Sequence, residues 1–177
     1  TWTRDLTEKL VFKGSLQFFV VTYENSLRLG LVDYQFFGGS AGLLYHVTER
    51  DDVELSGTYT NFHTTNAPSG LRASFPGAML TVTHAFTETL KATAYGGPRF
   101  LSSTTGSHGA DQTPHDAIWV YGANLTQQFE SASLQFTLAR DILPSGFGML
   151  LQTDRVGVLA TYNLSESLTA SLDTSGY

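Results

Sequence analysis

Five residues with charged or amide side chains could select hydrophilic solutes: Lys13, Gln17, Glu54, Lys91 and Asp173. Each occupies a polar position in a segment where polar and apolar residues alternate. If these positions line a water-filled pore, such side chains set its preference for ions or other solutes. The simpler interpretation, which the sequence favours, is that they are solvated positions on the wet face of a sheet.

The other candidates for chemistry carry less information. The five histidines have no metal-ligand spacing, and His115 with Asp111 nearby is better explained as a polar loop than as a cation site. Motifs of hydrolases, zinc proteases and phosphate-binding loops do not occur. The absence of cysteine excludes disulfides, Cys-based zinc sites and thiol catalysis. We therefore predict a protein without enzymatic activity, metal or cofactor.

The composition narrows the class of protein. The chain has 177 residues and a formal net charge of −6, with only 10 Lys and Arg residues. This acidic balance offers no basic surface for phosphates and argues against nucleic acid as a partner. No run approaches the roughly 18 apolar residues of a membrane-spanning helix, whereas a membrane-spanning strand needs only about 9–11 residues of alternating polarity.

One short phrase recurs along the chain about every 39 residues, which is the mark of a repeated structural unit. Its centre is a hydroxyl residue followed by Glu or Gln: Thr7-Glu8, Thr48-Glu49, Thr87-Glu88, Thr126-Gln127 and Ser165-Glu166. The flanking residues alternate with a period of two rather than 3.6, so the phrase is not a helix cap. We predict that each phrase is the tight turn of an antiparallel hairpin.

Alternation on both sides of each phrase predicts about ten strands. In 53–60, for example, Val53, Leu55 and Tyr59 oppose Glu54, Ser56 and Thr58. Longer polar loops are predicted between the hairpins, at 63–74 and 102–116. Short turns at one end and long loops at the other predict an all-β fold, an antiparallel up-and-down transmembrane β-barrel, with 1–177 forming a single barrel domain or a fragment of one.

Aromatic residues on the apolar rows favour a membrane barrel over a soluble β-sandwich. In a membrane barrel such residues form a girdle at the lipid interface, and the candidates are Tyr45, Phe86, Trp119, Tyr121 and Tyr162. A soluble, secreted sandwich that binds a ligand remains the alternative, because alternation alone does not say whether the apolar row faces lipid or a core.

The segments "GGSAGLLYHVTERDDVELSGTYTNF" (38–62) and "GVLATYNLSESLTASLDTSGY" (157–177) resemble the repeating hairpins of bacterial outer-membrane β-barrel porins. The similarity is greatest to the type 2 β-barrel porin group, which is associated with exopolysaccharide export. The resemblance implies a location in the outer membrane of a Gram-negative cell, with outer-membrane lipid as a partner. It also implies passage or export of hydrophilic solutes or polymer. Related barrels sheathe cytochromes, so a scaffold around a cytochrome or a secretion component is a second implied role.

The end of the chain departs from the pattern of such barrels. The last strand of such barrels usually ends in an aromatic residue, with apolar residues at the alternate positions before it. Here the alternate positions before Tyr177 are Ser175 and Asp173. We therefore expect that the natural chain continues or that this one has been cut. Ten strands would enclose a narrow lumen, since open channels need about 16.

Overall fold

The fold consists of β-strands alone in the part of the chain that the computed structural model describes, residues 1–24, 31–65, 71–105, 116–144, 150–165 and 168–176. None of these residues lies in a helix long and apolar enough to cross a membrane. The ten strands are β1 (Trp2–Asp5), β2 (Leu10–Val21), β3 (Tyr34–His46), β4 (Asp51–Thr64), β5 (Leu71–Ala85), β6 (Leu90–Thr105), β7 (Asp116–Gln128), β8 (Ala132–Pro144), β9 (Leu150–Ser165) and β10 (Leu168–Gly176).

The strands form a single sheet in which each strand pairs antiparallel with the next along the chain. This confirms the predicted all-β, up-and-down order and the predicted number of strands. Within the described residues the sheet is open, with β1 and β10 as its two edges. The edges pair only with β2 and β9, respectively.

Three of the repeated phrases form closely similar turns, at 6–9, 47–50 and 86–89. In each, the threonine hydroxyl oxygen accepts hydrogen bonds from the backbone N–H groups two and three residues later, at 2.9–3.3 Å. The N–H groups of the threonine and of the residue before it both donate to the carbonyl that begins the next strand. Threonine recurs because its short hydroxyl side chain can accept these local backbone hydrogen bonds.

The prediction that Thr126-Gln127 forms the fourth turn is wrong. Both residues lie inside β7, and the turn occupies 129–131, where Phe129 N donates to Ala132 O at 2.7 Å. The Thr126 hydroxyl donates instead to the Asn124 side chain at 2.9 Å. This turn is one residue shorter than the first three. At the fifth phrase, Ser165 ends β9 and Glu166 lies outside the described residues.

The opposite ends of the strands are joined by the longer segments 22–33, 65–70, 106–115 and 145–149. The predicted loops 63–74 and 102–116 were too long, because β4 continues to Thr64, β5 begins at Leu71 and β6 continues to Thr105. Their serine and threonine residues suit strands as well as loops. The asymmetry between tight turns at one end and longer connections at the other is present as predicted.

The two faces of the sheet differ in polarity. We call the face that carries Leu16, Leu43, Leu55, Leu80 and Leu134 the convex face, and the opposite one the concave face. These leucines are exposed, Leu55 at 62% and Leu16 at 79%. The concave face carries hydroxyl, amide and charged side chains along the same strands. Ion pairs on this face join strands that are not adjacent, β2 with β4 and β6 with β8. Such contacts over an intervening strand indicate that the sheet curves toward this face.

Near the longer connections the polarity of the two faces reverses on β3, β4 and β5. Gln35, His63 and Arg72 form one cross-strand row on the convex face. On the concave face the adjacent row is Phe36, Phe62 and Ala73. A buried cluster forms there around Phe62, Ala73 and Phe75, with the partly buried Tyr34, Leu71, Leu101 and Ile142 against it. The principal apolar core therefore lies inside the curve of the sheet, at one end of the strands.

We predict that Thr48→Val lowers the free energy of unfolding by about 1 kcal/mol, because its hydroxyl accepts from two turn N–H groups and donates to Asp51 Oδ2. Glu49→Gln, in the same exposed turn, should change stability by less than about 0.5 kcal/mol. Urea unfolding followed by tryptophan fluorescence measures both. Equal midpoints for Thr48→Val and the unsubstituted chain would contradict this account of the repeat.

Candidate functional site on the concave face

Two of the five predicted site residues, Lys13 and Glu54, form an ion pair on the concave face. Lys13 Nζ donates to Glu54 Oε2 at 2.9 Å, and the side chains are 38% and 23% exposed. Lys13 lies on β2 and Glu54 on β4, so the pair bridges β3. The β3 residue opposite Lys13 is Gly42, where an added Cβ would approach the Cβ of Ser56 to 2.6 Å. Glycine is therefore required at this position by the close approach of β4.

The other three predicted residues lie apart from this pair. Gln17 lines a cavity of about 320 Å³ that spans the concave face from β2 to β8. Asp173 lies with Arg155 in a second, shallower cavity of about 250 Å³ between β8, β9 and β10. Lys91 is exposed at the start of β6 and lines neither cavity. The structure therefore divides the five residues among three places.

A row of small polar side chains forms the floor of the larger cavity. The register places Ser15, Ser40, Thr58, Gly77 and Arg99 opposite one another on β2 to β6. The hydroxyls of Ser15 and Ser40 are 2.7 Å apart and share a hydrogen bond. A Cβ on Gly77 would lie 3.0 Å from Thr58 Oγ1 and 3.1 Å from Arg99 Cγ. The threonine and arginine side chains thus converge over the glycine.

Two polar atoms of this row are buried without a hydrogen-bond partner among the described residues: Thr58 Oγ1 and Arg99 Nε. Arg99 is not an isolated charge, because its Nη2 lies 4.0 Å from Asp141 Oδ1 on β8. That oxygen already accepts a hydrogen bond from Ile142 N at 2.9 Å. The guanidinium therefore keeps donors that can be offered to a molecule in the cavity.

Aromatic rings line the cavity on the side of the longer connections. Phe19 and Phe36 stack with their centroids 4.5 Å apart and an interplanar angle of 13°. Phe62, fully buried, and Phe75 also line the cavity. The arrangement can hold a small molecule with a polar end on the hydroxyl–guanidinium row and an apolar body against the rings.

The sequence reasoning missed Thr58, Arg99, Asp141 and this aromatic wall. The available signal was a change of phase in the alternation: "NFH" (61–63) and "RASF" (72–75) carry their apolar residues on the face that is polar in the remainder of the same strands. The predicted loop at 102–116 would end β6 shortly after Arg99, whereas the strand continues to Thr105.

All five predicted interface aromatics lie exposed on the convex face. Tyr45, Phe86 and Tyr162 are close to the tight turns, and Trp119, 64% exposed, is near the other end of β7. Tyr121 lies in the middle of β7. It is covered by Arg140, whose Cζ is 5.2 Å from the ring centroid and whose guanidinium makes a bidentate pair with Asp154 at 2.5 and 2.6 Å.

Two histidine–aspartate pairs flank the 47–50 turn, one on each face. His84 Nδ1 is 2.6 Å from Asp51 Oδ1 on the convex face, and His46 Nδ1 is 2.6 Å from Asp52 Oδ1 on the concave face. The edge of Phe86 packs against the His84 ring. The described residues contain no group of three or more ligating side chains that could hold a metal ion, and Asp111 and His115 lie outside them.

Comparison with known proteins returned no family model, no curated protein and no solved structure that matches this chain. The functional conclusion therefore depends on the chemistry of the two faces.

We predict that Lys13 and Glu54 are energetically coupled by about 0.5–1 kcal/mol, because the pair is only partly exposed and bridges non-adjacent strands. The free energies of unfolding of Lys13→Met, Glu54→Gln and the double variant would give this value, with Lys91→Met as the control for loss of an exposed lysine. Additive effects of the two substitutions would show that the contact contributes nothing.

Proposed function

We propose that this chain is all or part of an outer-membrane β-barrel and works as a passive channel for small hydrophilic solutes. The observation that carries the proposal is the exposure of apolar side chains over the convex face of a ten-stranded sheet. Apolar patches beyond a few hundred Å² are rare on soluble monomers and mark contact with a partner or a membrane.

The extent of the apolar surface along the strands supports a membrane as that partner. On β3 the convex row carries no charged or amide side chain from Tyr45 to Phe37, and Gln35 follows. This span matches the roughly 9–11 residues with which a tilted strand crosses the hydrocarbon of a bilayer. On β4 and β5 the polar residues that follow are Asn61 and Ser74, which face each other in the register.

The reversal of the faces supports the same orientation. Beyond Asn61 and Ser74, the convex positions on β3, β4 and β5 are polar and the concave positions are mostly apolar, as in a barrel wall surrounded by water. The convex face also carries the Arg140–Asp154 pair, opposite the middle of β7, where the bidentate contact lets the two charges neutralise each other. In the proposed arrangement the longer connections face the exterior and the tight turns face the periplasm.

Insertion requires that the two edges of the sheet be paired, since unpaired backbone groups are costly in hydrocarbon. We propose that β1 and β10 pair with each other or with further strands of the barrel. A soluble sandwich, by contrast, would need a second sheet over the convex face, and all ten described strands belong to one sheet.

The polar concave face would form the lumen. Lys13, Glu54, Gln17 and the row from Ser15 to Arg99 present charged, amide and hydroxyl groups that lower the barrier for hydrophilic solutes. The aromatic cluster at the exterior end narrows this path. We therefore propose small solutes rather than polymer as the molecules that pass.

The test is expression of the chain in a Gram-negative host, followed by electrophoresis of outer-membrane extracts with and without boiling. A closed barrel resists detergent at room temperature, so the unboiled band should migrate differently from the boiled one. Conductance in planar bilayers then distinguishes a channel from a scaffold. Recovery of the protein in the soluble fraction, with no shift on boiling, would refute the proposal.

We predict that Leu80→Arg strongly reduces the heat-modifiable fraction, because an arginine on the lipid face near mid-membrane costs about 2–4 kcal/mol. Thr81→Arg is the matched control: Thr81 is the next residue on β5, lies on the concave face and is opposite Glu54 in the register. This variant should insert like the unsubstituted chain. Equal tolerance of the two arginines would contradict the assignment of faces.

A further inference from the structure

We propose that the 320 Å³ cavity on the concave face is a binding site for a small organic carboxylate with a compact apolar body. The carboxylate would accept hydrogen bonds from Arg99 and Thr58, and the apolar body would lie against Phe19 and Phe36. That such a carboxylate also passes through the protein rests on the proposed channel. That it binds depends only on the cavity.

The unpartnered donors are the first argument. Thr58 Oγ1 and Arg99 Nε are buried and lack a hydrogen-bond partner among the described residues, and Thr58 and Arg99 both line the same cavity. Buried polar groups in folded proteins almost always have a partner, supplied by the protein, by ordered water or by a bound ligand. A hydroxyl on β4 and a guanidinium N–H on β6 that converge over Gly77 of the intervening β5 are well placed to share one acceptor group.

The positive charge of Arg99 favours an anionic acceptor. Arginine presents planar donors that match a carboxylate. The nearest acidic group, Asp141, is 4.0 Å away and accepts a backbone hydrogen bond through the same oxygen. Arg99 and Asp141 are the charged residues among those that line the cavity, and Lys13 and Glu54, closer to the tight turns, pair with each other at 2.9 Å. The guanidinium is therefore the group with unused capacity, and it favours an anion.

The aromatic lining and the volume of the cavity indicate which kind of ligand body would fit. The stacked rings of Phe19 and Phe36 offer apolar surface beside the polar row, and Phe62 and Phe75 also line the cavity. A volume of 320 Å³ is at the lower end of the range of about 300–1,000 Å³ for ligand sites. A single ring or a short branched chain fits this description better than an oligomer.

Titration calorimetry of the full 177-residue chain with benzoate tests the proposal, using benzamide as the neutral isostere and acetate as the anion without an apolar body. Benzoate should bind, and both analogues should bind at least about tenfold more weakly, since each lacks one of the two interactions. The titration is possible in detergent or, if the chain proves soluble, in buffer. A soluble chain that binds benzoate would refute the channel but not the binding site, and a heat-modifiable barrel that does not bind benzoate would refute the binding site but not the channel.

Two substitutions locate the site. Arg99→Gln should weaken benzoate binding at least about tenfold, and Thr58→Val, which removes only the hydroxyl, about three- to tenfold. The matched controls Arg155→Gln and Thr81→Val lie on the concave face outside the cavity lining and should leave binding unchanged. Circular dichroism checks that each variant is folded. Absence of benzoate binding by the unsubstituted chain, or equal weakening by target and control variants, would overturn the proposal.

Discussion

Side chains of a β-strand alternate between two faces, and on β3 to β5 of this sheet the apolar set changes face partway along the strands. On β4, Leu55 and Tyr59 are exposed on the convex face, whereas Phe62, three residues beyond Tyr59, is fully buried on the concave face. An odd step in a structure of period two moves a residue to the other side of the sheet. This single change separates a zone with an apolar exterior from a zone with an apolar interior.

The site on the concave face lies where the two zones meet. Toward the tight turns the concave face is polar, and toward the longer connections it is aromatic, so the cavity between them has one wall of each kind. Glycine makes the floor possible, because at Gly77 the missing side chain leaves space in which Thr58 and Arg99 converge.

The fold was largely predictable from the sequence because strand alternation and turn chemistry are local. Thr7, Thr48 and Thr87 each form the same hydroxyl-to-backbone hydrogen bonds, so their spacing gave the position of three turns. Thr126 was misassigned because a shorter turn lies downstream of it. The cavity was not predictable, because Ser15, Thr58 and Arg99 become neighbours only through the register of five strands, which the alternation leaves undetermined.

The environments of two residues on the convex face of β4 test most directly whether this face contacts lipid. The chain lacks cysteine, so Leu55→Cys and His63→Cys can each carry a single spin label, with Ser56→Cys as a concave-face control. In lipid vesicles, the label at 55 should collide with dissolved oxygen and be shielded from a water-soluble nickel reagent, and the label at 63 should show the opposite preference. If positions 55 and 63 were equally accessible to the nickel reagent, the convex face would lie in water along its whole length and the membrane account would be contradicted.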